Sequence, residues 1–224
     1  MKNLLFFLAI PFLFSSCKET VGYPIPDGNT YYFSEPQPIN DSELNSIPTK
    51  YIGLYSYGDS FFINVSKKMI TEESFNKFRI HKNSLDSIKD ELVKENGKYR
   101  FKNDDAFLEH KLIGDSIEFS QKDIDTFFIF SDKQKAKRIN GKLVLNVKDS
   151  LYWQSKLVYL EKDELIIKYL YSEEDLKKMD SITKIKSQKI DSTTYLISPS
   201  RREFKSFFEV KNFGYDTKFK KVTK

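Results

Sequence analysis

Cysteine is nearly missing from this chain. Cys17 is the only one among 224 residues, so no intramolecular disulfide is available. Histidine is almost as scarce: His81 and His110 stand alone, too far apart in sequence for a paired-histidine metal motif. The eight glycines are scattered and form no phosphate-cradling loop, and no calcium-binding loop pattern occurs. No apolar run reaches the roughly 20 residues that a membrane-spanning helix needs. The longest runs over 4–14 and is interrupted by Pro11. Charge of one sign is lacking too. Lys+Arg 37 against Asp+Glu 32 makes a mixed surface of formal charge +5, which argues against a nucleic-acid partner. No cofactor and no metal follow from this inventory.

What is present begins at the N-terminus. Lys2 is followed by the apolar run over 4–14, then by Ser15, Ser16 and Cys17, and the chain turns polar at Lys18, Glu19 and Thr20. A charged start, a short apolar run and small residues before a cut describe a secretory signal. The segment Phe14-Ser15-Ser16-Cys17 resembles the signal of bacterial lipoproteins, with Phe14 where Leu is usual. The resemblance covers about the first 20 residues. It implies cleavage after residue 16, fatty acylation of Cys17, and the membrane as a partner through that lipid. Each buried methylene adds about 0.8 kcal/mol of membrane affinity, and one chain alone binds only marginally. Lipoproteins of this kind carry two or three. Lys18 rather than Asp after the cysteine implies the outer membrane, with periplasmic and surface-facing orientations both open.

Five of the seven prolines fall between Pro24 and Pro48. Residues 17–48 therefore read as a lipidated, extended tether, in which Tyr31, Tyr32 and Phe33 could still add an edge strand. Residues 49–224 read as a single β-rich domain. Short apolar or alternating runs at 51–57, 61–66, 78–81, 112–119, 126–130, 143–147, 152–160, 165–171 and 193–197 predict an antiparallel meander, closed as a barrel or stacked as a sandwich. Asn96-Gly97 and Asn140-Gly141 are hairpin dipeptides. Asp-Ser recurs along the domain, from Asp59-Ser60 through Asp115-Ser116 to Asp191-Ser192, and reads as turn chemistry. Three helices are predicted. One is capped by Ser84, one starts at the capping box opened by Ser172, and one opens at Ser198-Pro199, carries Phe204, Phe207 and Phe208 on one stripe and stops at Gly214. The fold class is thus mainly β, a β-rich α+β domain with two or three short helices.

Chemistry-bearing motifs are few. Gly58-Asp59-Ser60 and Gly114-Asp115-Ser116 resemble the nucleophile block of a lipase and esterase family. That chemistry needs a histidine base, which that family places near its C-terminus, and nothing after His110 supplies one. Asp104-Asp105, Asp123 with Asp125, and Asp163-Glu164 offer carboxylate pairs of the sort a glycosidase uses, but 32 acids make such pairs by chance. The basic runs 133–138 and 218–224 read as a solvated face and a frayed tail. Trp153, Tyr152 and Tyr159, with Tyr169 and Tyr171 beyond them, are candidate glycan or partner contacts, although strand alternation turns half of such residues into a core. The expectation is a non-enzymatic, lipid-anchored binding or assembly module that meets another envelope protein or cell-wall glycan. The alternatives are a lipid carrier built on a barrel cavity and, more remotely, a hydrolase.

Overall fold

The computed structural model describes residues 23–223. The signal segment 1–16 and Cys17 lie outside the described residues. Among these, strands β1 (Thr30–Phe33), β2 (Gly53–Tyr57), β3 (Phe61–Val65) and β4 (Met69–His81) lead to β5 (Leu92–Glu95), β6 (Lys98–Phe101), β7 (Phe107–Ile113) and β8 (Ser116–Ile129). Then come β9 (Gln134–Ile139), β10 (Lys142–Asp149), β11 (Tyr152–Glu161) and β12 (Glu164–Tyr169). Helix α1 (Glu173–Ile182), β13 (Gln188–Lys189), β14 (Thr194–Ile197), helix α2 (Arg201–Phe207) and β15 (Tyr215–Lys221) complete the order. The β-rich α+β class is as the sequence predicted, including the helix near the C-terminus.

One run of the sheet reads β9-β10-β11-β12-β15-β2-β3-β4-β8, antiparallel throughout. The end of β8 returns to β9 through a bridge between Ser131 and Gln134, so the two ends of the run meet. All nine strands contribute to one apolar cluster, including Tyr55, Ile63, Ile70, Phe128, Ala136, Leu145, Val158, Ile167 and Phe219. The run therefore curls around a filled core. The outer face of β10–β12 is covered as well. Val144, Trp153, Leu157, Tyr159 and Ile166 meet Phe33 of β1, Met179 of α1 and Phe204 and Phe207 of α2 in a second cluster. Burial on both faces explains why Leu-Ile-Ile in β12 is continuously apolar, whereas β3 alternates.

Strands β4 and β8 are 13 and 14 residues long and continue past the core as an arm. The arm carries β5–β7 and a third cluster around Leu92, Tyr99, Leu108 and Phe119.

Local signals worked where the backbone demanded them. Asn96 and Gly97, and Asn140 and Gly141, all adopt positive φ in two-residue hairpins. The Ser172 capping box is formed, with Asp175 N–H donating to Ser172 Oγ and Ser172 N–H donating to the Asp175 carboxylate. Asp59, Asp115 and Asp191 sit in turns or bends between strands, Asp149 ends β10, and the Asp86 and Asp180 pairs lie in helices.

Several expectations are corrected. The segment 112–119 is not one strand, because the Gly114 turn divides β7 from β8. The helix capped by Ser84 is a 3-10 segment, Lys82–Ile88, and Leu92 opens a strand instead. Helix α2 is capped by Ser200 and ends at Phe207, well before Gly214. The run 218–224 is largely strand β15, and Lys137 in the run 133–138 is buried. Residues 23–48 are not a free tether: Tyr23, Tyr31, Phe33, Gln37 and Ile47 are buried. Strand β1 lies inside the sheet, parallel to β14 and touching β11.

Candidate functional site

Prolines make residues 34–48 unable to form regular ladders, so other side chains satisfy their backbone. Asn146 of β10 accepts Gln37 N–H at 2.7 Å and donates to Gln37 O at 2.8 Å. Lys137 Nζ donates to Pro36 O and Pro38 O at 2.9 and 3.0 Å. This polar clamp fixes the segment and, with it, strand β1.

Strand β1 then splays away from β11. They meet at Phe33 opposite Trp153. At the other end Asn29 N–H donates to Tyr171 O at 2.6 Å, just beyond β12. The β11–β12 ladder begins only at Leu157 opposite Lys168. Between these fixed points the sheet opens into a cleft of about 350 Å³, lined among others by Asp27, Thr30, Gln154, Lys156, Tyr169 and Tyr171. Gly28 closes one wall so tightly that a Cβ there would lie 2.4 Å from Tyr171 O.

Behind the cleft, its lining residue Tyr169 joins an ordered polar chain that runs into the core. Tyr23 donates to Glu72 Oε1 at 2.8 Å, and its oxygen lies 2.7 Å from the Tyr169 hydroxyl. A carboxylate only accepts, so the chain runs Tyr169 O–H to Tyr23 O–H to Glu72. Burial, reinforced by the neighbouring phenol and carboxylate, pushes the Tyr23 hydroxyl far above its usual range, and burial does the same to Tyr169. Tyr31 is raised to about 12, again by burial, and donates to Ser172 O. Beside them the Lys156 ammonium lies 4.5 Å from the centre of the Phe127 ring and 5.5 Å from that of Tyr169. Burial lowers its pKa, opposed only by Glu72. Among the described residues Lys156 makes no hydrogen bond and no ion pair. It is a cation in an aromatic wall, with Glu72 acting on it through charge but not bonded to it.

The aromatic residues singled out in the sequence are dispersed. Trp153 and Tyr159 are buried in the second cluster, as strand alternation in β11 requires. Tyr152 points to the opposite face, with its ring 6.0 Å from that of Tyr32. They form no common platform, and a glycan contact through Trp153 or Tyr159 is corrected by their burial. Tyr169 and Tyr171 do reach the cleft. Lys156 itself carried no distinguishing signal in the sequence.

The two Gly-Asp-Ser blocks are turns, with Gly58 and Gly114 at positive φ. The second places His81 opposite Ser116 across β4 and β8. No hydrogen bond joins the two. His81 Nδ1 accepts Asn83 N–H at 3.2 Å, so the neutral ring carries its proton on Nε2, the nitrogen that would otherwise serve as base. His110 packs edge-on to Tyr99 at 5.0 Å. Asp104 accepts from Ala106 N and Gln121, and Asp123 from Asn76, as turn and strand residues do. Asp163 sits in the β11–β12 turn, where its backbone O accepts Lys221 N–H. Among the described residues no group of three or more His, Cys, Asp or Glu is placed to hold a metal ion, and no helix is long and apolar enough to cross a membrane.

Compared with family models, curated proteins and solved structures, the chain matches none.

Proposed function

We propose that the protein is a lipid-anchored, non-enzymatic binding module of the bacterial outer membrane, with the cleft between β1 and the β11–β12 pair as its recognition site. The lipid anchor rests on the N-terminal sequence, from Lys2 to the polar residues after Cys17. The observation that carries the reading of the domain is how soon after Cys17 the chain packs. Tyr23 is buried against Phe61 and Phe219, with ring centres at 4.9 and 5.1 Å. Six peptide steps separate Cys17 from Tyr23, a reach of about 20 Å at full extension. Acylation at Cys17 would hold the domain against the membrane surface, with the cleft wall formed by 25–31 next to the attachment point. That favours a ligand or partner presented at the membrane over one recruited at a distance.

The carrier alternative is less well supported. The curled sheet is filled by Tyr51, Tyr55, Ile63, Phe128 and Phe219, each about 1% exposed or less, so its interior is side chains rather than an acyl-chain cavity. The hydrolase alternative lacks a histidine in the correct tautomer beside either Ser60 or Ser116.

The test is membrane fractionation of the full chain against Cys17→Ser in a Gram-negative host. The wild type is expected in the outer-membrane fraction and the variant in the soluble envelope fraction or uncleaved. Identical fractionation of the two would overturn the anchor.

A further inference from the structure

We propose that the cleft binds a phosphate-type oxyanion on a small polar ligand, with the Lys156 ammonium as its counter-charge. The inference deepens the binding-module reading and rests on it. The first ground is the unsatisfied cation. A charge withdrawn from water needs a partner, and buried charges are ordinarily paired or hydrogen-bonded. Lys156 has two aromatic faces and no acceptor among the described residues, while Lys137 has two carbonyls and Lys168 has the Phe213 carbonyl and Asp216. An oxyanion in the cleft supplies the missing acceptor at the position where low dielectric makes it most effective.

The second ground is the cleft's shape and chemistry. Its volume of about 350 Å³ suits a group of headgroup size and is too small for a whole lipid. Asp27, Thr30 and Gln154 line the same opening and offer acceptors and donors beyond the phosphate. A ligand carrying hydroxyl or amino donors next to its phosphate uses both: the oxyanion meets Lys156 and the donors meet Asp27. Ile25, on the rim and 56% exposed, adds an apolar edge. Glu72 acts on Lys156 through its charge but makes no ion pair with it, and its Oε1 accepts from Tyr23.

The same phosphate chemistry comes from a soluble phosphate ester or from a phospholipid headgroup. The experiment separates them. The full-length protein, purified in mild detergent, is acetylated sparsely, and modification of Lys156 is read by mass spectrometry against exposed Lys162. The probes are glycerol 3-phosphate in solution and vesicles of phosphatidylcholine with or without phosphatidylglycerol. Protection of Lys156 alone by glycerol 3-phosphate supports the site and a soluble source. Protection only by vesicles containing phosphatidylglycerol supports the site and a headgroup source. No protection by any probe overturns the proposal. Equilibrium dialysis of labelled glycerol 3-phosphate is the second readout. Lys156→Met should weaken binding about tenfold or more, as expected for a lost charge-assisted hydrogen bond, and Lys156→Arg should retain most of it. Undiminished binding by a folded Lys156→Met protein also overturns the proposal. The Cys17→Ser protein keeps these readouts separate from the anchor: if it still shows protection, the site stands even where the anchor reading fails.

Discussion

Asn146 holds both backbone polar groups of Gln37, accepting its N–H at 2.7 Å and donating to its carbonyl at 2.8 Å, with both residues fully buried. One side chain on β10 thus replaces the ladder that a proline-rich segment cannot make. Asn146→Ala leaves a buried donor and a buried acceptor unpaired. Each orphan costs about 1–3 kcal/mol, so a loss of about 3 kcal/mol is expected in urea unfolding. A loss below about 1 kcal/mol would mean that residues 34–48 are held by something else.

Lys156 tests the balance between stability and recognition. Its amine is held below the usual lysine range by burial. Between that lowered value and about 10.4, the unfolded chain binds a proton that the folded chain does not, so this group makes stability rise with pH across that window. Lys156→Met removes the desolvated charge. The variant is expected to be as stable as wild type or more so at pH 7, by about 1 kcal/mol. Its advantage should shrink as pH climbs toward the unfolded lysine value. Paired melts of the two proteins at several pH values check this, and a variant less stable at neutral pH would contradict it.

Gly28 is required by proximity, not by a left-handed backbone. The clash of a Cβ with Tyr171 O would push residues 25–31 off β12 and strain the Asn29 N–H to Tyr171 O bond. Gly28→Ala should cost about 1–3 kcal/mol, as overpacking generally does. It should also raise hydrogen exchange at Asn29 and Thr30 while leaving the β4–β8 arm unchanged.

On that arm Glu118 lies between two cations, 2.8 Å from Lys111 and 2.9 Å from Arg79. Their hydrogen bonds hold its carboxyl down to about 2. The contribution of this group to stability is present above its ordinary value near 4.5 and is lost as pH falls through about 2. A carboxyl NMR titration should find Glu118 among the last acids to protonate. Because the cluster is solvent-exposed, Glu118→Gln should change the melting temperature little.

What the sequence revealed divides along physical lines. Signals that act within a few residues were legible: Asn-Gly at 96–97 and 140–141, the box from Ser172 to Asp175, and the paired β-branched and aromatic runs of β3 and β11. The full length of β4 and β8 was hidden because their middles, Thr71 to Asn76 and Gln121 to Asp125, hold no fully buried residue and show no apolar period. The ordered path of residues 23–48 was hidden for a different reason. Prolines there look like a linker, and the groups that fix them, Asn146 and Lys137, lie about a hundred positions away. The cleft was least legible of all. Lys156 sits in a strand where a lysine ordinarily faces solvent, and the rings that enclose it, Phe127 of β8 and Tyr169 of β12, lie well away from it in sequence.

The most direct measurement is the intact mass of the mature protein purified from its native membrane. The expected result is a chain beginning at Cys17 and carrying two or three acyl chains on that residue. A mass corresponding to an uncleaved chain, or to one cleaved but without acyl chains, would contradict the lipid anchor on which the membrane-facing role of the cleft depends.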